Sequence, residues 1–266
     1  MIIRDIVSIG EMHRAEELQR EVWEIEDRDI LPALWLKASI SIGHTLVGAF
    51  DGSELAGFAY AAIGVLHEEI IHHSDMLAVR EKYRRSGLGV ALKLAQRERA
   101  LTARVRRITW TFDPLRAGNA SLNLTRLGAV GETYLVDYYG ETTSALHRGI
   151  GTDRLWMSWI LEDQSVMDRI EGHSACEVRG LFDSASAVIE IDSKGEARFR
   201  PASITTGDLS IRVPTDIGAI MTDDPPRARR WREETRRAFV AAFAMGYRAT
   251  DFRLHQGHGE YLLRHL

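Results

Sequence analysis

The stretch Arg84-Arg85-Ser86-Gly87-Leu88-Gly89 decides how this chain is read. It follows an apolar run from Ile70 to Val79 and precedes Leu88, Ala91, Leu92 and Ala95, which recur on one helical face, so it is a glycine turn between a strand and a helix. Glycines there let the backbone fold tightly and turn several N–H groups towards one point, and the helix beyond adds its positive N-terminal end. With Arg84 and Arg85 alongside, that point suits a phosphate. Taken alone, a Gly-x-Gly is also what a surface turn with two arginines shows. Spacing disfavours two alternatives. A dinucleotide fingerprint needs a third glycine where Leu92 stands, and a nucleoside-triphosphate loop needs Gly-Lys-Ser or Gly-Lys-Thr, which the chain lacks.

Outward from the loop, strand and helix signals alternate. Ile2 to Ile6 reads as a short strand, and Met12, Ala15, Leu18, Val22 and Trp23 recur at the helical period. A second helix opens at Pro32 and runs through Leu34, Lys37 and Ala38. Thr45 to Phe50 and Leu55 to Gly64 flank Asp51-Gly52-Ser53-Glu54, the signature of an antiparallel hairpin. Beyond the loop, Ile108, Trp110 and Phe112 alternate with polar residues until Pro114. Asn119 to Leu127 has helical character and stops at Gly128, and strand-like runs follow at Thr133 to Tyr139 and Leu155 to Leu161.

This order, with Arg84-x-x-Gly87-x-Gly89 at its centre, resembles the GNAT acyltransferase fold over roughly residues 1 to 161. The resemblance implies an α/β (α+β) architecture, a mixed and largely antiparallel sheet flanked by helices. It also implies that Arg84, Arg85, Ser86, Gly87, Leu88 and Gly89 grip the pyrophosphate of acyl-coenzyme A. Leu77-Ala78-Val79 is similar to the strand segment whose backbone pairs with the pantetheine arm, and Asn119 to the asparagine of the helix beside the cofactor. More narrowly, TWTFDPL at 109 to 115, NASLNLTRLGA at 119 to 129, Tyr139-Gly140 and Thr152-Asp153-Arg154 resemble a little-characterised branch of GNAT proteins with a C-terminal extension. Some relatives in that branch are associated with N-acyl amino acid metabolism, which implies an amino-acid-like amine as acceptor and an acetyl or succinyl donor, acetyl-CoA or succinyl-CoA.

Composition is compatible with this. The 266 residues are 45% hydrophobic and 27% charged, with a net charge of -4, so bulk attraction to nucleic acid is not expected. The single cysteine, Cys176, reads as a packing residue, and its isolation points to a reducing cytoplasm. The start of the chain carries charge too early for an export signal, and the longest apolar stretch, Ala56 to Leu66, falls short of the ~20 residues of a membrane helix. His67, His72, His73 and Asp75 could be read as metal ligands, but strand alternation divides them and no metal is expected. After Glu162 the texture changes, so the division expected is 1–162, an acyl-CoA-binding catalytic domain, and 163–266, a smaller α/β extension. That extension has probable strands around Asp192 to Gly195 and a helix opened by Asp224-Pro225-Pro226 and ended by Gly246. Arg229, Arg230, Arg236 and Arg237 read as its solvated face. Helix, glycine, strand, turn, strand occurs at 119–161 and again at 227–266; a degenerate half-repeat and a common supersecondary arrangement explain this equally well. A homodimer is left open.

For catalysis, an amine attacks a thioester only when neutral, and an α-amino group with a pKa near ~8 needs a base at pH 7. The resemblance places acceptor-facing residues two and four positions before the Leu77 segment, at Asp75 and His73, which alternation sets on one face. His73 has the better matched pKa; Asp75 could orient an imidazole or water. Asp113 is a weaker base or acceptor-binding candidate, and Arg154 a candidate partner for an acceptor carboxylate. The family's tyrosine acid falls on Leu124 here, which leaves Tyr138 or Tyr139 as displaced acids. That departure keeps a rival open: a non-catalytic acyl-CoA-binding or assembly protein on the same fold.

Overall fold

The computed structural model describes residues 1–144, 149–172, 177–204 and 206–266. Two compact units emerge: Met1–Trp110 with Thr142–Leu146, and Thr111–Glu141 with His147–Leu266. The boundary expected after Glu162 therefore falls inside the second unit, because residues 111–141 pack with C-terminal ones. Cys176 lies outside the described residues.

In the first unit β1 (Ile2–Asp5), α1 (Ile9–Trp23) and α2 (Ala33–Ile40) precede β2 (Thr45–Asp51), β3 (Glu54–Leu66) and β4 (Glu69–Val79). Then come α3 (Leu88–Thr102) and β5 (Arg107–Phe112), with the sheet ordered β1-β2-β3-β4-β5. Ser8 and Glu11 form a capping box that fixes the start of α1, and Pro32 is the N-cap of α2 rather than its first turn. One sheet face buries Met12, Leu18 and Leu36 against Phe58 and Tyr60, and the other buries Val47, Ala49 and Ala59 against Leu88 and Leu92 of α3. The β2–β3 hairpin turns at Gly52-Ser53 as read.

A second hairpin was missed: His67 and Glu68 join β3 to β4 with φ of 49° and 66°, the paired left-handed turn usually built from Asn-Gly. Strict alternation along β4 also fails. Its register with β3 slips between Tyr60↔Met76 and Ala62↔His73, so β4 carries one extra residue there. The ladder between β4 and the parallel β5 consists of His72 with Ile108 and His73 with Thr109, so the stretch from Ser74 to Val79 lies beyond it.

The second unit holds α4 (Ala117–Ala120), which runs on as a π-helical turn over Ser121–Arg126, then β6 (Val130–Leu135) and β7 (Arg154–Ile160). It continues through α5 (Gln164–Ile170), α6 (Glu177–Ser184), β8 (Ser186–Ala187), β9 (Ile189–Ile191) and β10 (Ala197–Phe199). It closes with β11 (Leu209–Pro214), α7 (Ile217–Asp223), α8 (Pro225–Ala244), β12 (Tyr247–His255) and β13 (His258–His265). The strands run β7-β6-β12-β13-β11-β8, with β9–β10 a separate hairpin. The two helix-glycine-strand-turn-strand runs thus lie back to back, joined where Gly131 of β6 faces Ala249 of β12. Because β6 ends at Leu135, Tyr138 and Tyr139 lie in the turn beyond it and not in a strand. Neither β11 nor α7 was anticipated. Tyr134 stacks on Phe239 at 5.5 Å, and Phe239 meets Tyr261 edge-on at 5.1 Å, which sets the α8 stripe against the sheet. Among the described residues no helix is long and apolar enough to cross a membrane.

Candidate active site

The glycine loop has the geometry its sequence requires. Gly87 adopts φ 86° and is the N-cap of α3, and no side chain caps the helix, so its first N–H groups are left for another acceptor. A Cβ added to Gly87 meets nothing within 4 Å, which means the space before the helix is open. Arg85 also takes positive φ, at 62°. Ser86 Oγ donates to the Tyr83 carbonyl at 2.7 Å and Arg84 Nε to the Val79 carbonyl at 3.2 Å, tying the turn to the end of β4. Arg84, Arg85, Ser86 and Gly87 are exposed, whereas Leu88 is buried and anchors the helix. Leu77, Ala78 and Val79 pair with Ala59, Phe58 and Gly57 along one edge of β4.

His73 and Asp75 stand on β4 around the register slip. His73 Nδ1 lies 2.9 Å from Thr109 Oγ1 on β5. Burial, reinforced by the charge of Lys93, lowers the His73 pKa, and Asp75 acts in the other direction. Asp75 is raised by desolvation, and His73 works against that rise. Alternation was the wrong reason for pairing these residues, but each does feel the other's charge. His72 is fully buried with neither ring nitrogen hydrogen-bonded, and His67 sits in the hairpin turn, so the histidines do not converge. Among the described residues no three His, Cys, Asp or Glu gather as a metal site. Sequence reading missed Lys93 and Ser74 entirely; Lys93 lies off the stripe of Leu88, Ala91, Leu92 and Ala95, so no signal along the helix marked it.

In the second unit, Asn119 is exposed on α4, and Leu124 is fully buried in the π-helical turn, where it can donate no proton. Asp113 is not a free carboxylate. Its Oδ1 accepts from Arg232 Nη2 at 2.8 Å and from the Leu115 N–H at 2.9 Å, both in the interior. Burial would raise its pKa, but the Arg232 charge and the Leu115 bond outweigh burial and hold it below the usual carboxylate range, which removes it as a base. Arg154 is buried, donates to the Asp153 carbonyl at 3.1 Å and lies with its guanidinium carbon 4.9 Å from the Tyr139 ring centre. Tyr139 is half-exposed, with its hydroxyl 3.2 Å from Thr111 Oγ1 and its N–H on Thr152 Oγ1. Beside these, Asp153 accepts from Tyr134 and, bidentately, from Arg236 at 2.8 Å. Arg236 therefore leaves the solvated face assigned to it, and Arg232, on the same helix, went unnoticed.

Residues 9–129 match the model of the Acetyltransferase (GNAT) family. The match covers a little under half of the chain, over which the sequence is similar to a GNAT acetyltransferase domain. Among curated proteins none matches the sequence. Solved structures similar to this chain include the ribosomal-protein-S18-alanine N-acetyltransferase from Escherichia coli, at 17% identity and TM-score 0.47 over 60% of this chain and 93% of that one. A GNAT-family acetyltransferase from Streptococcus pneumoniae aligns at 18% and 0.49 over 59% and 97%. An aminoglycoside 6'-N-acetyltransferase from Enterococcus faecium aligns at 16% and 0.46 over 62% and 99%.

Proposed function

We propose that this chain is a coenzyme-A-dependent N-acyltransferase that moves an acetyl or succinyl group from acyl-CoA to the primary amine of a small, amino-acid-like acceptor. The observation that carries the reading is the Arg84–Gly89 turn with the uncapped N-terminus of α3 behind it. A pyrophosphate there would satisfy the orphan N–H groups and meet the positive end of a 15-residue helix. The stretch Leu77-Ala78-Val79, beyond the β4–β5 ladder, is left to pair with the amide-bearing pantetheine arm. In this reading residues 1–162 carry the acyl-CoA chemistry, with Asn119 beside the cofactor, and 163–266 extend it, in the cytoplasm.

The acceptor nitrogen then loses two protons, one before attack and one as the amide forms, and the sulfur gains one. His73, held neutral by burial, takes the proton from the acceptor ammonium, with Asp75 orienting the imidazole or an intervening water. The amine attacks the thioester carbonyl; as the C–S bond breaks and the amide forms, the nitrogen gives its second proton to water, and the departing thiolate takes one from the Tyr139 hydroxyl, itself reprotonated from water, or from water directly, its own pKa being near ~8.5. Arg154 pairs with the acceptor carboxylate; burial lowers its pKa, and the charge of Asp113 opposes that. A mass-spectrometric screen of acyl-CoA and amine pools tests this, because one acylated product identifies donor and acceptor together; no product from any pairing would reject it. Buried Leu124 at the tyrosine position is the observation favouring a non-catalytic acyl-CoA-binding protein. Ellman's reagent separates the two: thiol release with any amine supports the enzyme, and binding without release supports the rival.

A further inference from the structure

On the α3 side of β4 lies a buried amine that the acyl-transfer reading leaves unused. Lys93 is 2% exposed. Its Nζ donates to Ser74 Oγ at 2.6 Å, Ser74 donates onward to Gln96 Oε1 at 2.8 Å, and Nζ lies 4.0 Å from the centre of the Trp110 ring. Ser74 and Trp110 each follow one member of the paired residues His73 and Thr109, whose side chains are themselves 2.9 Å apart. Lys93 is therefore one residue along from His73 on both strands at once.

An apolar side chain would fill this slot without the cost of burying a charge, so the lysine calls for a reason. Among the described residues no carboxylate offsets it; burial alone pushes its amine down to about 7, while the π face of Trp110 favours the cation. We propose that Lys93 is a positioning residue for His73, whose buried ammonium keeps the neighbouring imidazole neutral and so ready to take the acceptor's proton. The last clause rests on the acyl-transfer reading above; the charge coupling does not.

The physical basis is competition between two sites for one proton. As pH falls, the amine is protonated before an imidazole of lowered affinity, and a second positive charge one residue away is then disfavoured. The charges that act on the imidazole are those of Asp75 on β4 and Lys93 on α3, the latter set against the next residue of each strand, and the neutral Thr109 hydroxyl of β5 lies beside it. Asp75 pulls towards the cation; burial and Lys93 oppose it and prevail.

The test is an imidazole titration by NMR on 15N-labelled full chain, in wild type, Lys93→Met and Lys93→Arg, with His73→Gln assigning the resonance. The His73 midpoint is expected to move upward in Lys93→Met and to stay in Lys93→Arg. The acidic limb of kcat/KM should follow His73 upward. An unmoved His73 midpoint in folded Lys93→Met overturns the proposal. So does a wild-type Lys93 amine, followed by its own 15N and 13C shifts, that is still neutral where His73 takes its proton; that measurement needs no variant. If the His73 midpoint moves and the rate profile does not, the coupling stands and His73 is removed as the base.

Discussion

Replacing Gly87 separates the fold from the phosphate site, because the two demands on that residue differ. At φ 86° an L-residue is strained, at a cost of about 1–2 kcal/mol and more for a β-branched one. Yet an added Cβ meets nothing within 4 Å, so the Cβ that Gly87→Ala and Gly87→Val both introduce creates no packing clash. The neighbouring Arg85 already carries a side chain at φ 62°, so this turn accommodates residues of that conformation. Both variants should therefore fold, with a loss of stability near the strain figure. The new methyl groups would occupy the open space before α3, where the pyrophosphate must come within hydrogen-bond distance of backbone N–H groups. A hydrogen bond to a charged group contributes about 1.5–3 kcal/mol, so losing one weakens coenzyme A binding by roughly 10- to 150-fold. Calorimetric titration of coenzyme A, paired with thermal unfolding of the same samples, reads both quantities. A folded Gly87→Val chain with wild-type coenzyme A affinity would refute the phosphate assignment and the function built on it.

Arg232→Met leaves the Asp113 carboxylate buried without its cation, and chemical denaturation should show a loss of about 3–5 kcal/mol in the second unit; a change under 1 kcal/mol would mean the pair is not holding it. Acid should destabilise the first unit. Burial depresses the pKa of His44 and His72 below 6.5, so the unfolded chain binds protons first, and stability present above pH 6.5 is lost as pH falls through the folded-state midpoints. His72→Leu, followed by thermal unfolding between pH 4.5 and 8, should flatten that dependence, and an unchanged slope would exclude His72 as a source. Ending the chain at residue 162 removes β12, which pairs with β6, and Tyr261, whose hydroxyl donates to the Pro114 carbonyl at 2.7 Å. The product should lose cooperative unfolding or precipitate; a soluble, fully active monomer would show that residues 111–141 stand without the extension.

What the sequence made legible was periodic or punctuated. The α3 stripe, the Asp51–Glu54 turn and the Gly87 turn each declare themselves through spacing or through a residue with special backbone freedom. The features it hid arise where long-range pairing overrides local preference. His67-Glu68 makes a tight hairpin turn without glycine or asparagine, because a continuous ladder from Leu66↔Glu69 inward holds it. The extra residue in β4 has no local signal, since a bulge is defined by the partner strand. Lys93 lies off the Leu88, Ala91, Leu92 and Ala95 stripe and drew no reading from the sequence; only the structure sets it against Ser74 and Trp110. Likewise the arginines of α8 look alike in sequence, while packing sends Arg232 and Arg236 to buried carboxylates and leaves Arg229 at the surface.

These hidden features decide among the candidate bases. From the sequence, His73 has the better matched pKa, Asp75 an orienting role and Asp113 the weaker claim. Asp113 is committed to Arg232 and Leu115 and is held ionised, so any proton it took would cost the second unit its buried pair. Asp75 is raised from its ordinary value by desolvation, against the pull of His73. His73 has one nitrogen beside Thr109, burial that favours its neutral form and a buried ammonium behind it that reinforces that preference. A base must be empty before the acceptor arrives and basic enough to hold a proton briefly afterwards. In the proposed reaction His73 is given that role, and the residue argued to prepare it, Lys93, is one that neither its own sequence position nor its strand would have named.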